Sequence, residues 1–125
     1  MHETAIVTGL MRILEEKAAA HGVARVLRVT LKVGRLRAVE PAQLAACFEM
    51  FADGSVADGA ELVIVEVPVR ARCKACGTEF EVPRYRFDCP GCGGGDVDVI
   101  AGQELYMESF EAGPPDPGPS PPVTN

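Results

Sequence analysis

The chain has 125 residues, 47% of them hydrophobic and 24% charged, with a formal net charge of −6, five cysteines and no tryptophan. That length points to one domain with at most a small appendage. A pI near 4.9 argues against broad electrostatic affinity for nucleic acid or an anionic membrane. No apolar run approaches the ~20 residues that span a bilayer, and the start MHETAIVTGLMRILEEK lacks the basic leader of a signal peptide. The expectation is a cytoplasmic protein.

The first segment reads as a helix: Ile6, Val7, Leu10, Ile13, Leu14 and Ala18 recur at helical spacing opposite Arg12, Glu15, Glu16 and Lys17. Thr4 is placed to cap its start, and His21-Gly22 to end it. His21 reads as a residue near a helix C-terminus and carries no function. From Arg25 to Val33 the chain alternates, with Leu27, Val29, Leu31 and Val33 on one face, which predicts a half-buried strand ended by Gly34. Glu40-Pro41 opens a second helix with proline at its first position and Leu44, Cys47, Phe48 and Phe51 as its apolar stripe. Cys47 reads as a small buried hydrophobe rather than a ligand. A turn containing Gly54 and Gly59 leads to a second strand over Glu61 to Arg70, with Pro68 favouring an edge or a strand end. Strand, helix, strand in this order predicts a crossover between parallel neighbours.

From Arg72 to Ile100 the periodicity stops and four cysteines enter as Cys73-Lys74-Ala75-Cys76 and Cys89-Pro90-Gly91-Cys92. Two residues between cysteines let both thiolates face one ion, and Gly77 and Gly93 permit the tight turns that follow. Two such knuckles give tetrahedral coordination by four cysteines, which suits zinc, with iron the alternative metal. The spacer between them alternates apolar residues as a hairpin would, completing the marks of a zinc ribbon. A redox dithiol would need a CxxC that opens a helix, and neither knuckle is followed by helical periodicity. A four-thiolate site leaves no position for a catalytic water, so it reads as a structural staple for a small core. Arg72, Lys74, Arg84 and Arg86 with Tyr85 and Phe87 lie in this region. Glu79, Glu81, Asp88, Asp96 and Asp98 balance them, which predicts a mixed-charge ribbon rather than a nucleic-acid stripe.

Gln103 to Phe110 alternates again as a third strand, so the cysteine segment is an insertion between strands of one unit. Six of the ten prolines fall in Pro114 to Asn125. That composition cannot offset its own ordering entropy, so the tail reads as disordered.

His2 is informative through its position. A free α-amine on Met1, the following amide nitrogen and the His2 imidazole can chelate one ion through fused rings. That planar donor set suits nickel(II) or copper(II) better than zinc. Glu3 adds a carboxylate or a second amide nitrogen.

MHE at the start, then KVGRLRAVEPAQLAACFEMF, GAELVIVEVP, a CxxC pair with CPxCG, and a closing strand follow one another in an order that resembles the HypA/HybF family. These are the nickel metallochaperones of [NiFe]-hydrogenase maturation, and the resemblance covers Met1 to about Glu111. It implies an α+β fold: a nickel-binding unit of two helices and a three-stranded mixed sheet (1–71 and 101–112) and an inserted zinc ribbon (72–100), while the proline-rich tail (113–125) lies outside the family's core. It further implies Ni(II) carried as cargo by His2 with Met1 and Glu3, and structural Zn(II) on Cys73, Cys76, Cys89 and Cys92. The partners implied are a HypB-like GTPase, the hydrogenase large subunit and, in some members, urease accessory proteins. The chain has no nucleophile–base pair, phosphate loop or open metal site, so no enzymatic activity is expected. The alternative function is a zinc-ribbon scaffold that binds protein or nucleic acid without transferring nickel.

Overall fold

The structure is a computed structural model that describes residues 3–114. The readings of Met1 and His2 as metal ligands, and of residues 115–125 as a disordered tail, lie outside the described residues.

Helix α1 spans Glu3–Ala20 and buries Val7, Leu10, Met11, Leu14 and Ala18. Thr4 sits inside its first turn rather than before it, so the expected cap is not formed by this residue. The helix ends as expected: Gly22 takes φ 65°, which lets the Gly22 and Val23 amides donate to the carbonyls of Ala19 and Ala18. Strand β1 (Val26–Gly34) follows. Val29, Leu31 and Val33 face the core, but Val26 is buried in place of Leu27. A register shift against the last strand between Val26 and Arg28 reverses the alternation there, as a bulge does.

Helix α2 (Pro41–Ala52) has Glu40 at its N-cap, whose carboxylate accepts from the Ala42 amide at 3.2 Å. Leu44, Phe48 and Ala52 are its buried residues, while Cys47 is half-buried and Phe51 lies exposed at the margin of the stripe. The second strand divides. Strand β2 ends at Val67 (Glu61–Val67), and β3 (Arg70–Cys73) belongs to another sheet. Pro68 has no amide to donate, so the ladder stops where the chain leaves the first sheet. The first sheet has the order β2-β1-β6, with β6 spanning Leu105–Ala112. Strand β1 pairs parallel with β2 and antiparallel with β6, so the sheet is mixed. Residues of α1, α2 and one sheet face form a single core that includes Val7, Leu14, Val29, Leu44 and Phe48.

The second sheet has the order β4-β3-β5, with β4 at Glu79–Glu81 and β5 at Val97–Ala101. The expected hairpin within the spacer is not formed. Strand β4 pairs with β3 across the first knuckle, and the spacer's second half is a turn over Pro83–Tyr85. Its own small core gathers Val69, Ala71, Cys73, Phe80, Val82 and Cys89. The sheets meet where Gly34, Gly102 and Val69 stack backbone on backbone. The adjoining turn Arg35–Arg37 lays Leu36 against the second core, with the Leu36 amide donating to Gly102 O at 2.8 Å. Gly113 is still held, its amide donating to Arg25 O at 2.8 Å.

Candidate metal centre

The two knuckles have the same backbone construction. In the first, the Gly77 amide donates to Cys73 O and the Cys73 amide to Thr78 O. In the second, the Gly93 amide donates to Cys89 O and the Cys89 amide to Gly94 O. Both turns need a left-handed residue, supplied by Gly77 (φ 78°) and Gly93 (φ 77°). Each knuckle aims its first cysteine inward and its second outward, so Cys73 and Cys89 are buried while Cys76 and Cys92 are exposed.

The knuckles converge on one point. All four Sγ atoms lie within 4.8 Å of one another, with Cys73–Cys92 and Cys76–Cys89 each at 3.5 Å. Four sulfurs arranged tetrahedrally 2.3 Å from a zinc ion would be about 3.8 Å apart. The four thiols therefore fit one Zn(II) in number, softness and separation, with no further protein group required.

Two residues that sequence reasoning passed over complete the site. Thr78 places its Oγ1 3.1 Å from Cys76 Sγ. Hydrogen bonds from the Thr78 side chain and backbone, then from Cys89, bring the Cys76 thiol down to about 6. Cys92 differs: the Gly94 amide pulls it down, but the Cys73 and Cys76 thiols outweigh that and raise it to about 11. Of the two outward thiols, Cys76 is thus the one that ionises first. Gly91 is the other residue, its amide donating to Cys89 Sγ at 3.3 Å. A Cβ there would stand 3.1 Å from Thr78 Oγ1. For Gly91 the signal was its place inside the second CxxC; Thr78 had none short of the folded knuckle.

Of the expected N-terminal ligands, Glu3 alone is described. Its Oε2 accepts from the Glu40 amide at 3.2 Å, which ties the start of α1 to the N-cap of α2. One residue on, Thr4 Oγ1 lies 3.7 Å from Cys47 Sγ, so the same two helix segments also meet through this weak contact. His21 lies at the end of α1, its amide donating to Lys17 O at 3.1 Å, consistent with a terminating residue.

A family model described as hydrogenase/urease nickel incorporation, metallochaperone, HypA, matches residues 1–112. The chain belongs to the HypA family. A hydrogenase maturation factor HypA of Desulfitobacterium hafniense is 43% identical over 111 residues, covering 89% of this chain and 97% of the relative. That of Azotobacter chroococcum mcd 1 is 45% identical over 112 residues, covering 89% and 98%. A solution structure of the Ni metallochaperone HypA from Helicobacter pylori superposes with TM-score 0.66 at 29% identity, covering 90% of this chain and 97% of that one. The α+β fold of two helices, a mixed sheet and a second sheet carrying four cysteines is thus a HypA fold. The HypA match contains the Met-His-Glu start and both knuckles. No helix among the described residues is long and apolar enough to cross a membrane.

Proposed function

We propose that this chain carries Ni(II) at its N-terminus and delivers it for [NiFe]-hydrogenase maturation, while a separate Zn(II) holds the ribbon together. The observation that carries this reading is the family match over residues 1–112, which begins on the Met-His-Glu start itself. Nickel is cargo here, and the zinc is resident.

The Met1 amine, the His2 amide nitrogen and the His2 imidazole form a planar donor set that Ni(II) accepts. Glu3 tunes or completes it. Anchored at the Glu40 amide, Glu3 gives the chain end one fixed point, and a site built from a chain end needs few rigid contacts to break when the ion moves to a partner. Cys73, Cys76, Cys89 and Cys92 hold Zn(II), which supplies folding energy and no chemistry. The mixed-charge surface and net charge of −6 suit a cation carrier. The partners in this reading are a HypB-like GTPase and the hydrogenase large subunit. Urease accessory proteins form a second client class, since the family description also names urease. The reading places the protein in the cytoplasm and gives it no enzymatic activity.

Nickel titration of zinc-loaded protein, with a native Met1, tests the site. His2→Ala and a one-residue extension before Met1 are each expected to weaken nickel binding at least tenfold. Protonation of the imidazole near its ordinary value of ~6.5 is expected to weaken binding of the wild type below that pH. Unchanged affinity in His2→Ala would remove the nickel assignment and leave the scaffold reading.

A further inference from the structure

The four cations between residues 72 and 100 fall into two pairs. Arg72 lies 2.6 Å from Glu79, and Lys74 lies 3.6 Å from both Asp96 and Asp98. Arg84 and Arg86 have no ion pair and no side-chain hydrogen bond among the described residues. Between them stands Tyr85, 60% exposed.

Their backbone is unusual. Arg84 (φ 52°) and Tyr85 (φ 61°) are consecutive left-handed residues, a conformation that side chains bearing a Cβ disfavour. Both flanks hold it in place. Val82 is buried and its amide donates to Val69 O at 2.8 Å, the Arg86 amide donates to Pro83 O at 3.0 Å, and Phe87 packs on the ribbon core. Arg-Tyr-Arg therefore projects as a fixed knob. Beside it is an open hollow of about 310 Å³ lined by Phe80, Glu81, Pro83, Arg86, Asp88 and Pro90.

We propose that this knob and hollow are a docking surface for an acidic, extended segment of a partner protein. Carboxylates of that segment pair with Arg84 and Arg86, the Tyr85 ring packs along it, and one apolar side chain enters the hollow between Phe80 and Pro83. Arginine forks bind carboxylates with charge-assisted hydrogen bonds, and tyrosine and arginine are the side chains that most often dominate an interface. A nucleic acid fits worse. Its charge recurs at every step, and Glu81 and Asp88 on the hollow's wall would face phosphates with no counterpart. A peptide can confine its carboxylates to the two positions that meet arginine. The surface uses none of the proposed metal ligands, so it stands whether or not the nickel reading does.

The test uses the zinc-loaded full chain, labelled with ¹⁵N, and an end-blocked twelve-residue peptide of serine and glycine that carries one central leucine and two glutamates flanking it. The expected result is amide shifts confined to residues 80–90. Affinity is expected to fall at least tenfold for a lysine-for-glutamate peptide, and at least tenfold for the R84E/R86E variant. Tyr85→Phe retains binding and Tyr85→Ser weakens it severalfold. Should R84E/R86E lose its zinc, Arg84→Ala with Arg86→Ala repeats the measurement in a folded chain. Shifts elsewhere or none, undiminished binding by the arginine variants, or equal binding of a twelve-nucleotide single-stranded DNA would each overturn the proposal.

Discussion

Adding one methyl group at the junction of the two sheets is expected to cost more stability than any surface change. Gly34 adopts φ −70°, an ordinary extended conformation, so alanine there carries no backbone penalty. Its Cβ, however, would overlap the carbonyl of Gly102 and the amide nitrogen of Gln103. Both are backbone atoms that cannot rotate away, which puts Gly34→Ala at the upper end of the overpacking range, about 3 kcal/mol. Gly102→Ala adds a second term. At φ 112° its backbone disfavours a Cβ, and that atom would stand 2.8 Å from Val69 Cα. Dihedral strain of about 1–3 kcal/mol and a clash of similar size sum to about 2–6 kcal/mol. At about 4 °C per kcal/mol for a domain of this size, Tm should fall by about 12 °C for Gly34→Ala and about 8–24 °C for Gly102→Ala. Thermal unfolding of the zinc-loaded chain followed by circular dichroism reads both. Because either methyl pushes the same backbone aside, the double variant should lose less than the sum. Gly9→Ala is the control. In mid-α1, with nothing beyond its chain neighbours and its own helix backbone within 4 Å of its Cβ, it should stabilise by about 0.5–1 kcal/mol. A Tm within about 2 °C of wild type for Gly34→Ala would refute the close stacking from which this reasoning starts.

Phe48→Ala, at a side chain only 1% exposed, should destabilise by about 3–5 kcal/mol, read by chemical denaturation. Arg28→Ala breaks ion pairs at 2.9 Å to Glu61 and 2.6 Å to Glu111, yet all three groups are exposed, so its Tm should move much less than that of Gly34→Ala. Thr78→Val removes the hydrogen bond that contributes most to lowering Cys76. With the thiol held at about 6, the thiolate's contribution is in place above the ordinary value of 9.0 and is lost as pH falls through about 6. The variant should therefore release zinc at a higher pH than wild type on acid titration with a zinc-responsive dye. Release at the same pH would show that Thr78 does not tune the site.

Local periodicity made most of the first sheet readable. Helix α1, strand β1, helix α2 and strand β6 each declare themselves within ten to twenty residues, and β6 needs only its alternation. What stayed hidden depends on partners distant in sequence. The segment ELVIVEVPVR is uniformly strand-like, so nothing local says that its two halves join different sheets; only Pro68 hints at the break. Leu27 turns outward because of a bulge that forms against β6, more than eighty residues away. The spacer looked like a hairpin because β4 does alternate, but its partner is β3 on the other side of Cys73 and Cys76. The candidate site divides the same way. The four cysteines were legible because zinc geometry dictates their spacing, whereas Thr78 is recognisable only once the knuckle is folded. The bond between Glu3 and the Glu40 amide joins residues 37 apart, and no pattern in either segment announces it.

The two metal positions also differ in how the chain holds them. The proposed zinc ligands sit on two knuckles, each closed by two backbone hydrogen bonds and seated against a buried core. The proposed nickel ligands belong to a chain end that a carboxylate on a backbone amide ties to α2. Softness separates the ions as well: four thiolates favour zinc, and a terminal amine with amides and imidazole favours nickel. Zinc on four thiolates would lower the formal charge by two, from −6 to −8. A carrier that must surrender one ion and keep the other needs this asymmetry of donor chemistry. The same short stretch serves both ends. Gly34 and Leu36 lock the ribbon to the first sheet, and six residues after Gly34 the amide of Glu40 receives Glu3. The segment from 34 to 40 thus links the start of α1 at Glu3 to the ribbon, and the Gly34→Ala variant, where it still folds, is the direct means of moving one against the other.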